Sequence, residues 1–81
     1  MRPRSGNRWS TRFGRWVGAQ TVPVVVVRLH DAGFPVTKGA VYQWLAGRAV
    51  PSTEHARALL VESRGRLTLA DLVEHRRTIA P

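Results

Sequence analysis

Apolar residues recur at helical spacing along the whole of this chain, and most of the stretches they mark are bracketed by residues that start or stop a helix. Trp9, Phe13, Trp16 and Val17 fall on one stripe, with Ser10 as N-cap and Gly18 as stop, which predicts a first helix over residues 10–17. Arg12 and Arg15 lie off that stripe, toward solvent or phosphate. Val22, Val25, Val26 and Leu29 form the next stripe, in a helix predicted over residues 22–32 behind the N-cap Thr21. Read alone, the run VPVVVV suits a strand, because β-branched side chains lose rotamer freedom in a helix. Pro23 sits badly inside a strand but costs nothing in a first helical turn, and the run continues unbroken to Gly33. Helix is the preferred reading and strand the alternative.

Gly33 and Pro35 end the second stretch, with Phe34 and Val36 turning inward. Thr37 then caps a third helix over residues 38–45, whose buried side is Val41, Trp44 and Leu45 and which stops at Gly47. Ser52 or Thr53 caps a fourth helix, with Glu54 in its positive first turn and Ala56, Leu59 and Leu60 on its inner face. Thr68 opens a fifth over residues 69–76, with Asp71 placed for a capping box and Leu69, Leu72 and Val73 as its apolar side. His75, Arg76 and Arg77 crowd its negative end. The prediction is an all-α, compact bundle of about five short helices around Trp9, Phe13, Trp16, Val25, Val26, Leu29, Val41, Trp44, Leu45, Leu59 and Leu72.

Composition narrows what such a bundle could do. The 81 residues carry 13 basic and 5 acidic side chains, net +8, and Lys38 is the only lysine. That balance favours a polyanion, nucleic acid ahead of a membrane surface. With no cysteine, and with histidines only at 30, 55 and 75, neither a disulfide framework nor a short-spacing metal motif can be written. No cofactor or small-molecule ligand is expected. The longest apolar run, residues 22–27, is too short to span a bilayer and the start lacks a signal-peptide core, so a cytoplasmic location is expected. Residues 1–8, rich in arginine without apolar periodicity, read as a flexible basic arm or as a solvated terminus with no role. The folded unit is then residues 9–77, with 78–81 a tail. His30 and Asp31 point apart on their helix, and Asp71 with Glu74 is simply a solvated i,i+3 pair, so no catalytic group assembles and an enzyme is not expected.

What rises above background is helix, turn, helix over residues 21–48. Such a motif buries one side of both helices and frees the second to enter a major groove. Val25 or Val26 supplies the inward residue of the first helix, while Lys38, Gly39, Tyr42 and Gln43 remain at the front of the second. Lysine and glutamine can hydrogen-bond base edges, and tyrosine can meet a thymine methyl or a phosphate. Gly39 fits either a close backbone approach to DNA or tolerance in a first turn.

The stretch Val36-Thr37-Lys38-Gly39-Ala40-Val41-Tyr42-Gln43-Trp44-Leu45-Ala46-Gly47-Arg48, with Val50-Pro51 behind it, resembles the recognition region of Cro and lambda-repressor-like helix-turn-helix proteins. It is most similar to the small Cro or YdaS-type regulators of phage and prophage. The continuation from Glu62 to Leu72 resembles that group's ending, so the likeness covers about residues 13 to 73. The turn from Leu29 to Val36 is about two residues longer than in compact members. The resemblance implies a transcriptional regulator that binds operator DNA, usually as a homodimer. It places base reading on Lys38, Gly39, Tyr42 and Gln43, and phosphate contact on Thr37 and Arg48. Arg12, Arg15 and Arg28 are further phosphate candidates by charge. Two other classes compete: a helical protein-interaction module on the same fold, and a nonspecific nucleic-acid binder.

Overall fold

The computed structural model describes residues 8–79. Among them are five helices and no strand: α1 Arg12–Gln20, α2 Val22–Asp31, α3 Lys38–Leu45, α4 Thr53–Glu62 and α5 Leu69–Ile79. α2 lies centrally, packed on α1, α3 and α4, and α5 closes the bundle over α1, α3 and α4. Phe13 and Val17 of α1, Val25 and Leu29 of α2, Val41 and Leu45 of α3 and Leu59 of α4 are all at most 1% exposed. Trp16, Val22, Trp44, Ala58 and Leu67 complete the core, with Val26 and Leu72 packed partly buried against it.

The valine run is helical. Its Val22, Val25 and Leu29 are buried and Pro23 occupies the first turn, where its missing N–H removes no hydrogen bond. The caps of α3, α4 and α5 form as predicted. Thr37 Oγ1 accepts the Ala40 N–H at 3.0 Å, and Ser52 Oγ accepts that of His55 at 3.2 Å. In the capping box of α5 the Thr68 N–H donates to Asp71 Oδ2 at 2.9 Å and the Asp71 N–H to Thr68 Oγ1 at 3.2 Å.

Four expectations are corrected. First, α1 begins two residues later than predicted, with Thr11 rather than Ser10 as N-cap, and it runs through Gly18 to Gln20. Trp9 therefore stands outside the helix and is 43% exposed instead of being core. It folds back so that its ring lies 3.3 Å from where a Gly18 Cβ would be, and a Cβ on Gly14 would strike the Arg8 carbonyl. Both glycines thus admit the returning chain and do not end the helix. Second, Thr21 stands at the N-cap position of α2 as expected but makes no capping bond with its side chain; it is the hinge between α1 and α2, at φ 77° and ψ 149°. Third, α5 extends to Ile79, so Thr78 and Ile79 belong to a helix and not to a tail. Fourth, Leu69 and Val73 are each 58% exposed, and the side that α5 buries instead carries His75, 2% exposed, beside Leu72. The basic arm, apart from exposed Arg8, lies outside the described residues.

Candidate nucleic-acid interface

The predicted base-reading side chains share one exposed side of α3. Lys38, Gly39, Tyr42 and Gln43 are all exposed, Tyr42 at 45%, while Val41, Trp44 and Leu45 fasten the opposite side into the core. Thr37 starts the helix and is itself exposed. No acidic residue stands in the first turn, where the Ala40 amide is already capped by Thr37 Oγ1, so no carboxylate offsets the positive end of the helix. Gly39 has no internal reason to be glycine: a Cβ would meet only Thr37 Oγ1, at the ordinary contact distance of 3.8 Å.

Two histidines hold this helix in place by the same device. Ser52 Oγ, having accepted the His55 N–H, lies 2.8 Å from His55 Nδ1, and His55 Nε2 lies 3.1 Å from the Pro35 carbonyl. A carbonyl only accepts, so the proton sits on Nε2 and the Ser52 hydroxyl donates to Nδ1. The His55 ring also packs at 5.7 Å from the Trp44 ring, so the start of α4 supports α3 from below. At the other end Thr11 Oγ1 accepts the Gly14 N–H at 3.0 Å and donates to His75 Nδ1 at 2.5 Å. His75 Nε2 donates to the Leu45 carbonyl at 3.0 Å, and the Phe13 ring meets the imidazole edge-on at 5.0 Å. This chain ties the start of α1 and the middle of α5 to the end of α3. Burial lowers the His75 pKa from its ordinary value, against the opposing pull of the Leu45 and Trp44 carbonyls. The sequence pattern alone puts His75 in a charged helix end. The offsets of Leu72, His75 and Ile79, which form one helical stripe, are the signal that would have turned it inward.

The phosphate candidates divide into two groups. Arg48 is exposed directly after α3, in the two-bond cap where the Gly47 N–H meets Trp44 O and the Arg48 N–H meets Gln43 O. Arg12, Arg15 and Arg28 lie on α1 and α2. Arg12 pairs with Asp71 at 3.5 Å and Arg28 with Glu62 at 3.8 Å, the arginine side chains 66% and 42% exposed and their carboxylate partners more covered, and Arg15 donates to the Ser10 carbonyl. At these distances, with the guanidiniums reaching solvent, each pair leaves N–H groups of its arginine open to a phosphate. The structure does not bring these three to α3. They gather instead with Arg64 and Arg66 around Trp16 and Gln20.

Elsewhere, Val50, Pro51, Leu69 and Val73 line an open apolar groove between the α3–α4 connection and α5. Among the described residues no three His, Asp or Glu side chains group as metal ligands, and no helix is long and apolar enough to cross a membrane. Comparison with protein-family models, with curated proteins and with solved structures finds no match to this chain.

Proposed function

We propose that this protein binds double-stranded DNA in a sequence-specific manner, as a small helix-turn-helix transcriptional regulator, with α3 entering the major groove. The carrying observation is the division of α3. Its buried side fixes the helix rigidly, while its open side combines hydrogen-bonding Lys38 and Gln43 with Tyr42 and a glycine that the fold itself does not require. A close-packed duplex would supply the missing reason for Gly39. A protein-binding face would instead carry a cluster of exposed apolar residues, and on α3 only Tyr42 is large, exposed and aromatic. Thr37 and Arg48, at the two ends of the helix, are placed in this reading on the flanking phosphates. The homodimer that suits such a binder would use the last helix, where Leu69 and Val73 are left open.

Selection of bound duplexes from a random pool tests the reading, followed by Gly39→Ala and Gln43→Ala on the enriched site. Gly39→Ala should raise helix stability by up to about 1 kcal/mol yet weaken binding, because the new methyl faces outward. Gln43→Ala should remove about 1 to 3 kcal/mol of discrimination at one base position. No enriched sequence, or full affinity in Gly39→Ala together with unchanged base preference in Gln43→Ala, would refute base reading by α3.

A further inference from the structure

Three helix ends in this fold close with the same pair of backbone hydrogen bonds, and the third departs from the other two. After α2 the Gly33 N–H bonds His30 O and the Phe34 N–H bonds Leu29 O; after α3 Gly47 and Arg48 do the same with Trp44 and Gln43. Gly33 and Gly47 hold positive φ of 91° and 74°, as this cap demands. After α4 the Arg64 N–H bonds Val61 O at 3.0 Å and the Gly65 N–H reaches Leu60 O at 3.5 Å. Two consecutive residues are left-handed here, Arg64 at φ 55° and Gly65 at φ 84°, and the position that glycine holds in the other two caps is held by Arg64. A side chain there is strained where glycine is not. The turn is otherwise built firmly: buried Ser63 donates from Oγ to Leu60 O at 2.9 Å and accepts the Leu67 N–H at 3.1 Å.

Arg64 stands at a cationic surface. Two adjoining shallow grooves share Trp16, Gln20 and Arg66; one takes in Arg12 and Arg15, the other Arg28 and Arg64. Five guanidiniums from α1, α2 and the α4–α5 turn therefore meet along one tract, against the two carboxylates Glu62 and Asp71. Among the described residues neither Arg64 nor Arg66 has an acidic partner. No α3 residue lines either groove.

We infer that this tract is a second nucleic-acid contact, one that grips the phosphodiester backbone of a duplex without reading bases, and that Arg64 is held in a strained cap to serve it. A line of guanidiniums over two joined grooves matches a row of phosphates, each able to take paired N–H bonds, better than it matches a single anion. Unpaired strands need exposed rings for their bases to stack on, and the aromatic here, Trp16, is only 8% exposed. Duplex is thus favoured over single strand. The inference extends the DNA reading of α3 but places affinity on a different surface.

The test uses the full chain, with Arg64→Gly and Arg66→Gln, measured by melting and by titration of a random-sequence duplex between about 50 and 200 mM salt. Arg64→Gly should melt about 4 °C higher, because glycine relieves the cap. Both variants should bind the duplex about eightfold more weakly near 0.1 M salt, with the salt slope shallower by about 0.9 for each phosphate left without its arginine. Unchanged affinity and slope in both variants would overturn the inference, as would stronger binding of a single-stranded oligonucleotide or a polyglutamate than of duplex. Base preference separates the two surfaces. If these variants lose affinity while Gln43→Ala changes no preference, the α3 reading fails alone; if Gln43→Ala relaxes preference and these variants lose nothing, this inference fails alone.

Discussion

Replacing His75 removes a link between three helices, and its cost can be worked from the network. The imidazole is 2% exposed, bonded to Thr11 Oγ1 and to Leu45 O and packed edge-on against Phe13. His75→Phe keeps an aromatic ring beside Phe13 but leaves a buried carbonyl without its donor and frees the Thr11 hydroxyl. An unsatisfied buried acceptor costs about 1 to 3 kcal/mol, so a loss near 2 kcal/mol is expected. His75→Ala adds a cavity and should cost about 3 to 5 kcal/mol. A chain of 81 residues has roughly 4 to 12 kcal/mol in total, so alanine takes a large part of the whole. The same site sets a pH dependence. Because burial lowers the folded-state pKa below the ordinary 6.5, the contribution of neutral His75 is complete above that value. As pH falls through 6.5 the unfolded chain takes up a proton that the folded chain refuses, and stability drops until the lowered folded pKa is reached. Thermal melts of wild type and His75→Phe at a series of pH values from about 8 to 5, with His75 followed by NMR titration, measure both effects. The wild type should lose more Tm on acidification than the variant, since His30 and His55 are common to both. A His75 resonance titrating above 6.5, or a His75→Phe variant as stable as wild type with an identical pH profile, would refute the network.

Trp44→Ala and Gln43→Ala, neighbours on opposite sides of α3, should separate fold from recognition. The first, 6% exposed and packed at a tilt against His55, should cost about 3 to 5 kcal/mol and lose binding through unfolding; the second should melt within about 0.5 kcal/mol of wild type. A folded Trp44→Ala variant that loses only DNA binding would reverse the two sides. Thr21→Gly addresses the hinge between α1 and α2, where a β-branched residue holds φ 77° and ψ 149°, a region nearly reserved for glycine, while its hydroxyl caps nothing. Relief of that strain, less the extra chain entropy of glycine, should raise stability by about 1 kcal/mol; a lowered Tm would show the side chain to be needed.

Much of the architecture follows from local chemistry and could be read along the chain. Thr37, Ser52 and Thr68 cap the helices they precede because a hydroxyl oxygen satisfies amides three residues on, whatever the rest of the molecule does. Pro23 and the helical stripe of Val22, Val25 and Leu29 settle the valine run in the same local way, and the division of α3 into an inner Val41-Trp44-Leu45 side and an open Lys38-Gly39-Tyr42-Gln43 side follows from a period of 3.6. Tertiary structure decided what depends on partners distant in sequence. Trp9 leaves the core because α1 starts at the hydroxyl that also serves His75, 64 residues away. His75 goes inward, and Leu69 and Val73 outward, because a neutral imidazole finds both a donor and an acceptor at the meeting of α1 and α3; the stripe of Leu72, His75 and Ile79 is compatible with that placement but does not show those partners. The arginine tract is of the same kind. Arg12, Arg15, Arg28, Arg64 and Arg66 are dispersed over fifty-five positions, and only the packing of α2 between α1 and α4 carries them to one surface.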